Sequence, residues 1–200
     1  RRVLFRSAKL APSPVAVAIA NSLLSGEPRA VLLGNAAAHH PQTAQLHAIA
    51  QWIAHHTDAQ FGYLTEGANT VGGYLANAVP ADRAVAQSFF RQSKKAYLVL
   101  HAEPELDCAN PQQARAALDQ AEMVVLMSPY KHGTEYADVL LPVAPFSETS
   151  GTFVNAEGRV QGFNGSTRPL ADTRPAWKVL RVLGNLLALD GFNYESSEDI

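Results

Sequence analysis

Four short apolar runs punctuate the chain: Ala30–Leu33, Gln60–Leu64, Ala96–Leu100 and Met123–Met127. Each is continuous rather than alternating, which predicts strands covered on both faces. Helical periodicity fills the intervals. Ser13-Pro14 opens a first helix with an N-cap and a first-turn proline. Its apolar stripe is Val15, Ala18, Ile19 and Leu23, and Gly26 is placed to end it. A second helix runs from about Pro41 to His56, with Leu46, Ile49, Ala50 and Ile53 on one face. A weaker third covers about Asp82 to Arg91. A fourth begins at Asn110-Pro111-Gln112-Gln113, an N-cap with Gln at the third helical position, resembling a capping box.

Strands alternating with helices predict an α/β fold: a Rossmann-like, mostly parallel sheet flanked by helices. Ligands of such sheets bind beyond the carboxyl ends of the strands. The loops that matter are therefore Gly34–His40, Thr65–Gly73, His101–Asn110 and Ser128–Thr134. The pattern changes after Met127. Asp138–Val143 reads as a short strand. Thr152–Val154 and Arg159–Gln161 flank Asn155-Ala-Glu-Gly158, a turn with glycine where a positive φ is expected, so a small β-hairpin extension follows. Pro169–Thr173 is a linker. Pro175 to Leu189 is an amphipathic C-terminal helix, with Gly191 as its stop. The expected organisation is an α/β domain over 8–145, a loop and hairpin extension over 146–172, and a C-terminal helix and tail over 173–200. The opening Arg1–Ser7 reads as foreign or disordered sequence.

Composition narrows the chemistry. The chain has 200 residues, enough for a sizeable core, and a net charge of −2 with no basic stripe. Nucleic-acid binding has no electrostatic support. No apolar run approaches the roughly 18 residues of a membrane span. The single cysteine, Cys108, excludes an intrachain disulfide framework. It also excludes an all-cysteine iron–sulfur cluster within this chain, which needs four thiolates.

Seven histidines invite a metal site. His39-His40 and His55-His56 are adjacent pairs, however, and neighbours on a helix point about 100° apart. No metal or catalytic residue is assigned. Gly34, Gly67, Gly72 and Gly73 follow expected strands and could admit a phosphate, yet none sits in a dinucleotide or P-loop fingerprint. Ser147, Ser150, His132 and Glu148 form no nucleophile elbow. The informative stretch is Tyr136-Ala-Asp-Val-Leu-Leu-Pro142, then Glu148-Thr-Ser-Gly-Thr152, then Asn155-Ala-Glu-Gly-Arg159-Val-Gln161. There Thr134, Glu148, Thr152, Asn155 and Arg159 could supply convergent donors and acceptors to a polar ligand, or hydrogen-bond the loops' own backbone.

This compound motif resembles the molybdopterin oxidoreductase superfamily. Three further segments, Thr65–Gly73, Tyr97–Asp107 and Arg174–Gly184, are similar to the large iron–sulfur subunit of bacterial respiratory NADH–quinone oxidoreductase. The resemblance runs from about Ala8 to the end. It implies a structural, cofactor-free module of a parent that passes electrons from NADH through iron–sulfur clusters to quinone, coupled to proton translocation. The clusters would lie upstream in the parent subunit. The partners would be other peripheral-arm subunits, at the cytoplasmic face of the inner membrane. It also implies a vestigial pocket around Glu103, Thr134, Glu148, Gly151, Thr152, Asn155 and Arg159. Active relatives carry Gly-x-Asn-Pro where this chain has His101-Ala102-Glu103-Pro104, and a carboxylate there opposes a pyrophosphate. The alternative is a fragment of an active molybdopterin-dependent oxidoreductase of formate dehydrogenase type, binding a pterin–guanine dinucleotide.

Overall fold

The computed structural model describes residues 11–80 and 88–200. It is α/β, with parallel sheets flanked by helices, an antiparallel hairpin and a C-terminal helix. The chain divides into two compact units, one ending at Ala68 and the other beginning at Asn69. The four apolar runs all form strands, but they pair within two separate parallel sheets. The helix expected over Asp82–Arg91 lies largely outside the described residues.

In the first unit, helix α1 (Pro14–Ser25) starts where its local signals place it. The Ser13 hydroxyl accepts the Ala16 N–H at 3.1 Å. Gly26 ends it in an extended conformation, φ −103° and ψ 155°, rather than in a left-handed turn. The apolar stripe of α1 is open: Val15 is 67% and Ile19 63% exposed. Strand β1 (Ala30–Leu33) pairs parallel with β2 (Gln60–Tyr63), Ala30 opposite Gln60. The short α2 (Asn35–Ala38) and the longer α3 (Thr43–Thr57) make the crossover, and α3 buries Ala50 and Ala54. Arg29 ties the end of α3 to β1 by donating to the carbonyls of Thr57 and Gly26, each at 2.7 Å. Asp58, at φ 52°, takes the left-handed position, and Ala59 N–H reaches back to the Ala54 carbonyl at 2.9 Å. This is the six-to-one bond of a Schellman ending.

The second unit opens with α4 (Thr70–Leu75) and holds a three-stranded parallel sheet. Strand β3 (Ala96–Leu100) pairs with β4 (Met123–Ser128), which pairs with β5 (Val139–Pro142). Helices α5 (Pro104–Asp107) and α6 (Pro111–Asp119) link β3 to β4. Asn110 caps α6 as expected, its side chain accepting the Gln113 N–H at 3.1 Å. The core gathers Tyr97, Ala117, Leu118, Val124, Leu126 and Tyr136.

The connection from β4 to β5 contains no helix, although parallel strands usually need a crossover of a dozen or more residues. Two devices shorten it. Gly133 sits at φ 61°, and a Cβ there would stand 2.6 Å from both Leu126 Cδ1 and the Tyr136 hydroxyl. Its carbonyl accepts from Tyr136 and Ala137, folding Tyr136 onto the core. Asp138 then grips β4 twice. Its carboxylate accepts the Val124 N–H at 2.7 Å, and its own N–H donates to the Val124 carbonyl at 2.9 Å.

Beyond β5, the residues of a 3₁₀ turn (Phe146–Glu148) lead into β6 (Gly151–Val154) and antiparallel β7 (Val160–Phe163). Gly158, at φ 80°, makes the hairpin turn as its position in the sequence predicts. The last helix, α7 (Ala176–Leu186), enters through a bridge between Val143 and Arg174. It ends before the expected Leu189. Ala188 takes the left-handed position at φ 53°, and Leu189 N–H bonds the Gly184 carbonyl at 3.0 Å. Gly191 serves a later turn instead. The returning chain packs Phe192 on Gly184, so closely that a Cβ there would lie 2.3 Å from its ring. No helix among the described residues is long and apolar enough to cross a membrane.

A hydrogen bond to a charged group contributes roughly 1.5–3 kcal/mol. Asp138→Ala is therefore expected to lower the unfolding free energy by about that amount in urea titration. Asp138→Asn, which keeps an acceptor oxygen without the charge, should fall between. An unchanged midpoint for the alanine variant would contradict the role given to this side chain.

Candidate functional site

The parallel register brings the ends of β3, β4 and β5 to one edge: Leu100 lies opposite Met127, and Ser128 opposite Pro142. His101 turns the chain out of β3 at φ 50°, its N–H bonded to the Met127 carbonyl at 2.9 Å. At the ends of β4 and β5 lies a cleft of about 290 Å³. Leu140, Leu141 and Pro142 line one side, and Ser128, Pro129, Tyr130 and Lys131 the other. The Ser128 hydroxyl accepts the Tyr130 N–H at 3.1 Å. Lys131 is the only cation among the lining residues.

The loop after β3 has the opposite character. Glu103, Glu105 and Asp107 place three carboxylates within five residues. The Glu103 N–H, a donor that could face an anion, is spent on the Asp107 carboxylate at 2.7 Å. The field is felt nearby: burial first, then the charges of Asp107 and Glu105, push the Cys108 thiol above its ordinary value. Burial, with Glu105 close by, likewise holds the Tyr136 phenol well above its usual range. Desolvation lowers His101.

The remaining residues singled out from sequence fall on three places. Glu103 follows β3 and half-buried caps α5, whereas Thr134 is exposed in the loop after β4. Glu148, Gly151, Thr152, Asn155 and Arg159 lie on the 3₁₀ turn and the hairpin. Among the described residues no hydrogen bond or ion pair joins Glu103 or Thr134 to the hairpin group. Two of the polar side chains serve the backbone. Asn155 Oδ1 accepts from Glu157 and Arg159 N–H, at 3.0 and 2.9 Å, and so builds the turn. Glu148 Oε2 accepts from Leu170 N–H at 3.0 Å and pins the linker. Gly151 makes room for Phe163, whose ring would lie 2.9 Å from a Cβ. Thr152 and Arg159 are exposed.

Sequence reasoning missed Asn69. Its Oδ1 accepts the Val154 N–H at 2.8 Å, anchoring β6 to the start of α4. Its side chain also explains Gly72, where a Cβ would lie 2.0 Å from that oxygen. The only signal was the glycine-rich stretch itself, read as a possible phosphate loop. The histidines of the first unit are occupied by ring contacts and side-chain bonds, whereas both ring nitrogens of His132 are buried without a hydrogen-bond partner among the described residues. Trp52 stacks on His56 with centroids 4.0 Å apart, and His39 meets Glu66 at 2.8 Å. His47 packs edge-on against Phe61 and bonds the Tyr63 hydroxyl.

A family model described as molybdopterin oxidoreductase matches residues 13–186, which takes in both parallel sheets, the hairpin and α7. The chain belongs to the molybdopterin oxidoreductase family. A protein of Staphylococcus aureus strain MRSA252 named "Putative formate dehydrogenase" is 36% identical over 87 residues. That stretch is 43% of this chain and 9% of the relative. Proteins of the same name from strains USA300 and NCTC 8325 match with the same identity over the same length. The matched stretch thus spans under a tenth of these relatives' length.

The molybdopterin oxidoreductase name implies a molybdenum–pterin group. The donor set after β3 suits an anionic pterin dinucleotide poorly: Glu103 and Asp107 add negative charge to that loop, and the Glu103 N–H is already bonded to Asp107, while Glu105 lies beside Arg115 of α6. The cleft at Lys131 offers a single positive charge in compensation.

Because its pKa is raised, Cys108 carries less thiolate at neutral pH than a free cysteine. It should therefore alkylate with iodoacetamide more slowly, and catch up only once the pH has risen above the ordinary thiol value of 9.0 and past its own raised one. Glu105→Gln removes one of the repelling charges and should speed the reaction at neutral pH. A neutral-pH rate equal to that of free cysteine would rule out this electrostatic picture.

Proposed function

We propose that this chain is a packing module within a larger electron-transfer oxidoreductase of the molybdopterin family, and that it contributes no catalytic residue. The observation that carries this reading is the loop after β3. A dinucleotide approaching the carboxyl ends of the strands would bring its phosphate charges towards the loop that carries Glu103 and Asp107. Opposite charge or free N–H groups are what such a ligand needs, and there the Glu103 N–H is committed to Asp107. The roles of Asn155 and Glu148 as internal braces agree with a scaffold.

Within that reading the parent is the large iron–sulfur subunit of an NADH–quinone oxidoreductase. Its clusters lie upstream of this chain, and its neighbours are the other subunits of the peripheral arm at the cytoplasmic face. The support is the extended resemblance over Thr65–Gly73, Tyr97–Asp107 and Arg174–Gly184 together with the acidic loop. The second reading, a segment of an active formate dehydrogenase, has its own support. The curated relatives carry that name at 36% identity, and on comparison alone they favour it. In that case Lys131 and Ser128, at the mouth of the β4–β5 cleft, would hold the dinucleotide, and the molybdenum centre would supply the redox chemistry.

The metal and pterin content of the purified full-length parent separates the two. A packing module predicts iron without stoichiometric molybdenum, and no pterin fluorescence after oxidation. One molybdenum and its pterin per chain would overturn the module and leave the formate dehydrogenase reading standing.

A further inference from the structure

A second concave surface shares Leu141 with the cleft at the strand ends but is otherwise lined by α7 and Arg174. Helix α7 and Leu141 of β5 enclose an open groove of about 460 Å³. Val179, Val182, Leu183 and Leu186 supply an apolar floor, and Arg174, Lys178 and Arg181 form its rim. Lys178, Val182 and Leu186 follow one another at intervals of four, so they share one line along the helix. Val182 is 50% and Leu186 79% exposed, so this line of α7 presents aliphatic surface.

The rim is electrostatically unfinished. Among the described residues no carboxylate pairs with Arg174, Lys178 or Arg181. Arg174 bonds the Thr173 carbonyl, Arg181 bonds the Tyr194 carbonyl at 2.7 Å, and Lys178 lies over the Trp177 ring. Lys178 and Arg174 also stand at the amino end of α7, which has neither an acidic residue in its first turn nor a side-chain cap. Cations at that end meet the positive pole of the helix, which disfavours them unless anions are brought in. Apolar floor and positive rim therefore call for one kind of occupant.

We infer that this groove is the docking site for an acidic amphipathic helix supplied by protein outside these 200 residues, within the parent assembly. Its apolar residues, spaced three and four apart, lie over Val182 and Leu186. Its carboxylates meet Arg174 and Lys178 at the amino end of α7. This mode of helix recognition needs only a groove and a short row of anchors. The inference rests on the packing-module reading for the existence of a partner, but it names a surface that reading does not.

The test is zero-length carbodiimide cross-linking of the full-length parent in its purified native assembly, read by mass spectrometry. The chemistry joins a lysine amine directly to a carboxylate, so it reports only a contact between Lys178 and an Asp or Glu. The expected result is a link from Lys178 to an acidic residue in a segment whose apolar positions recur at helical spacing. Val182→Gln combined with Leu186→Gln leaves Lys178 in place, adds no carboxylate beside it and alters only exposed side chains. It should cut the yield of that link by about tenfold or more, the loss expected for two apolar anchors. Circular dichroism checks that the variant remains folded. A link that survives the double substitution, a link only to the Glu195–Ile200 tail of this chain or a second copy, or no link at all would each overturn the docking site. If the parent also proves free of molybdenum, such a failure removes the groove and leaves the packing module intact.

Discussion

The carboxylate of Asp138 accepts the Val124 N–H at 2.7 Å, and the second unit depends on that contact. Val124 opens the buried part of β4, the central strand, and is 1% exposed. Without an acceptor at this point a buried backbone donor would be left unpaired, which costs on the order of 1–3 kcal/mol. The same residue immediately precedes β5, so one side chain satisfies β4 next to the point where the register sets Val125 opposite Val139. That register lets the chain cross between parallel strands without a helix. It also leaves the ends of β4 and β5 uncovered, and the cleft at Lys131 follows from it.

Function turns on what surrounds that edge. An open parallel sheet presents a ligand position beyond its carboxyl ends whatever its sequence. Whether a ligand is held there depends on the loops. The β4–β5 side offers a serine, a lysine and an exposed tyrosine, whereas the β3 side offers Glu103 and Asp107 with the Glu103 N–H already bonded. Family membership sets the fold and its ancestry; the site's own chemistry sets its use. The acidic side of the edge is the physical ground for reading this module as scaffold, and the open, cationic face of α7 gives the scaffold something to hold.

Much of this fold was legible in the sequence because its signals are local. The continuous apolar runs became strands, Ser13 and Asn110 capped helices, and Asn155 and Gly158 built the turn their spacing announced. What was not legible is what distant parts of the chain decide. The runs do not say which strands pair, and they pair as two sheets. The left-handed stop of α7 falls on Ala188 rather than Gly191, and Phe192 folds back against Gly184. Asn69 gave no sign of its bond to Val154, 85 residues away. At the candidate site, the charge of Glu103 was visible in the sequence, but its N–H being taken by Asp107 was not. The same limit applies to Glu148 and Asn155. Their residue types suit ligand binding and backbone bracing equally, and only the geometry shows them bracing.

The most direct test is a density map of the full-length parent at the carboxyl ends of β3, β4 and β5. The account predicts protein and solvent there, with Glu103 still bonded to Asp107 and no ordered dinucleotide beside Ser128 and Lys131. Continuous density for a pterin dinucleotide across that edge, its phosphates within bonding distance of the Glu103 N–H, would contradict it.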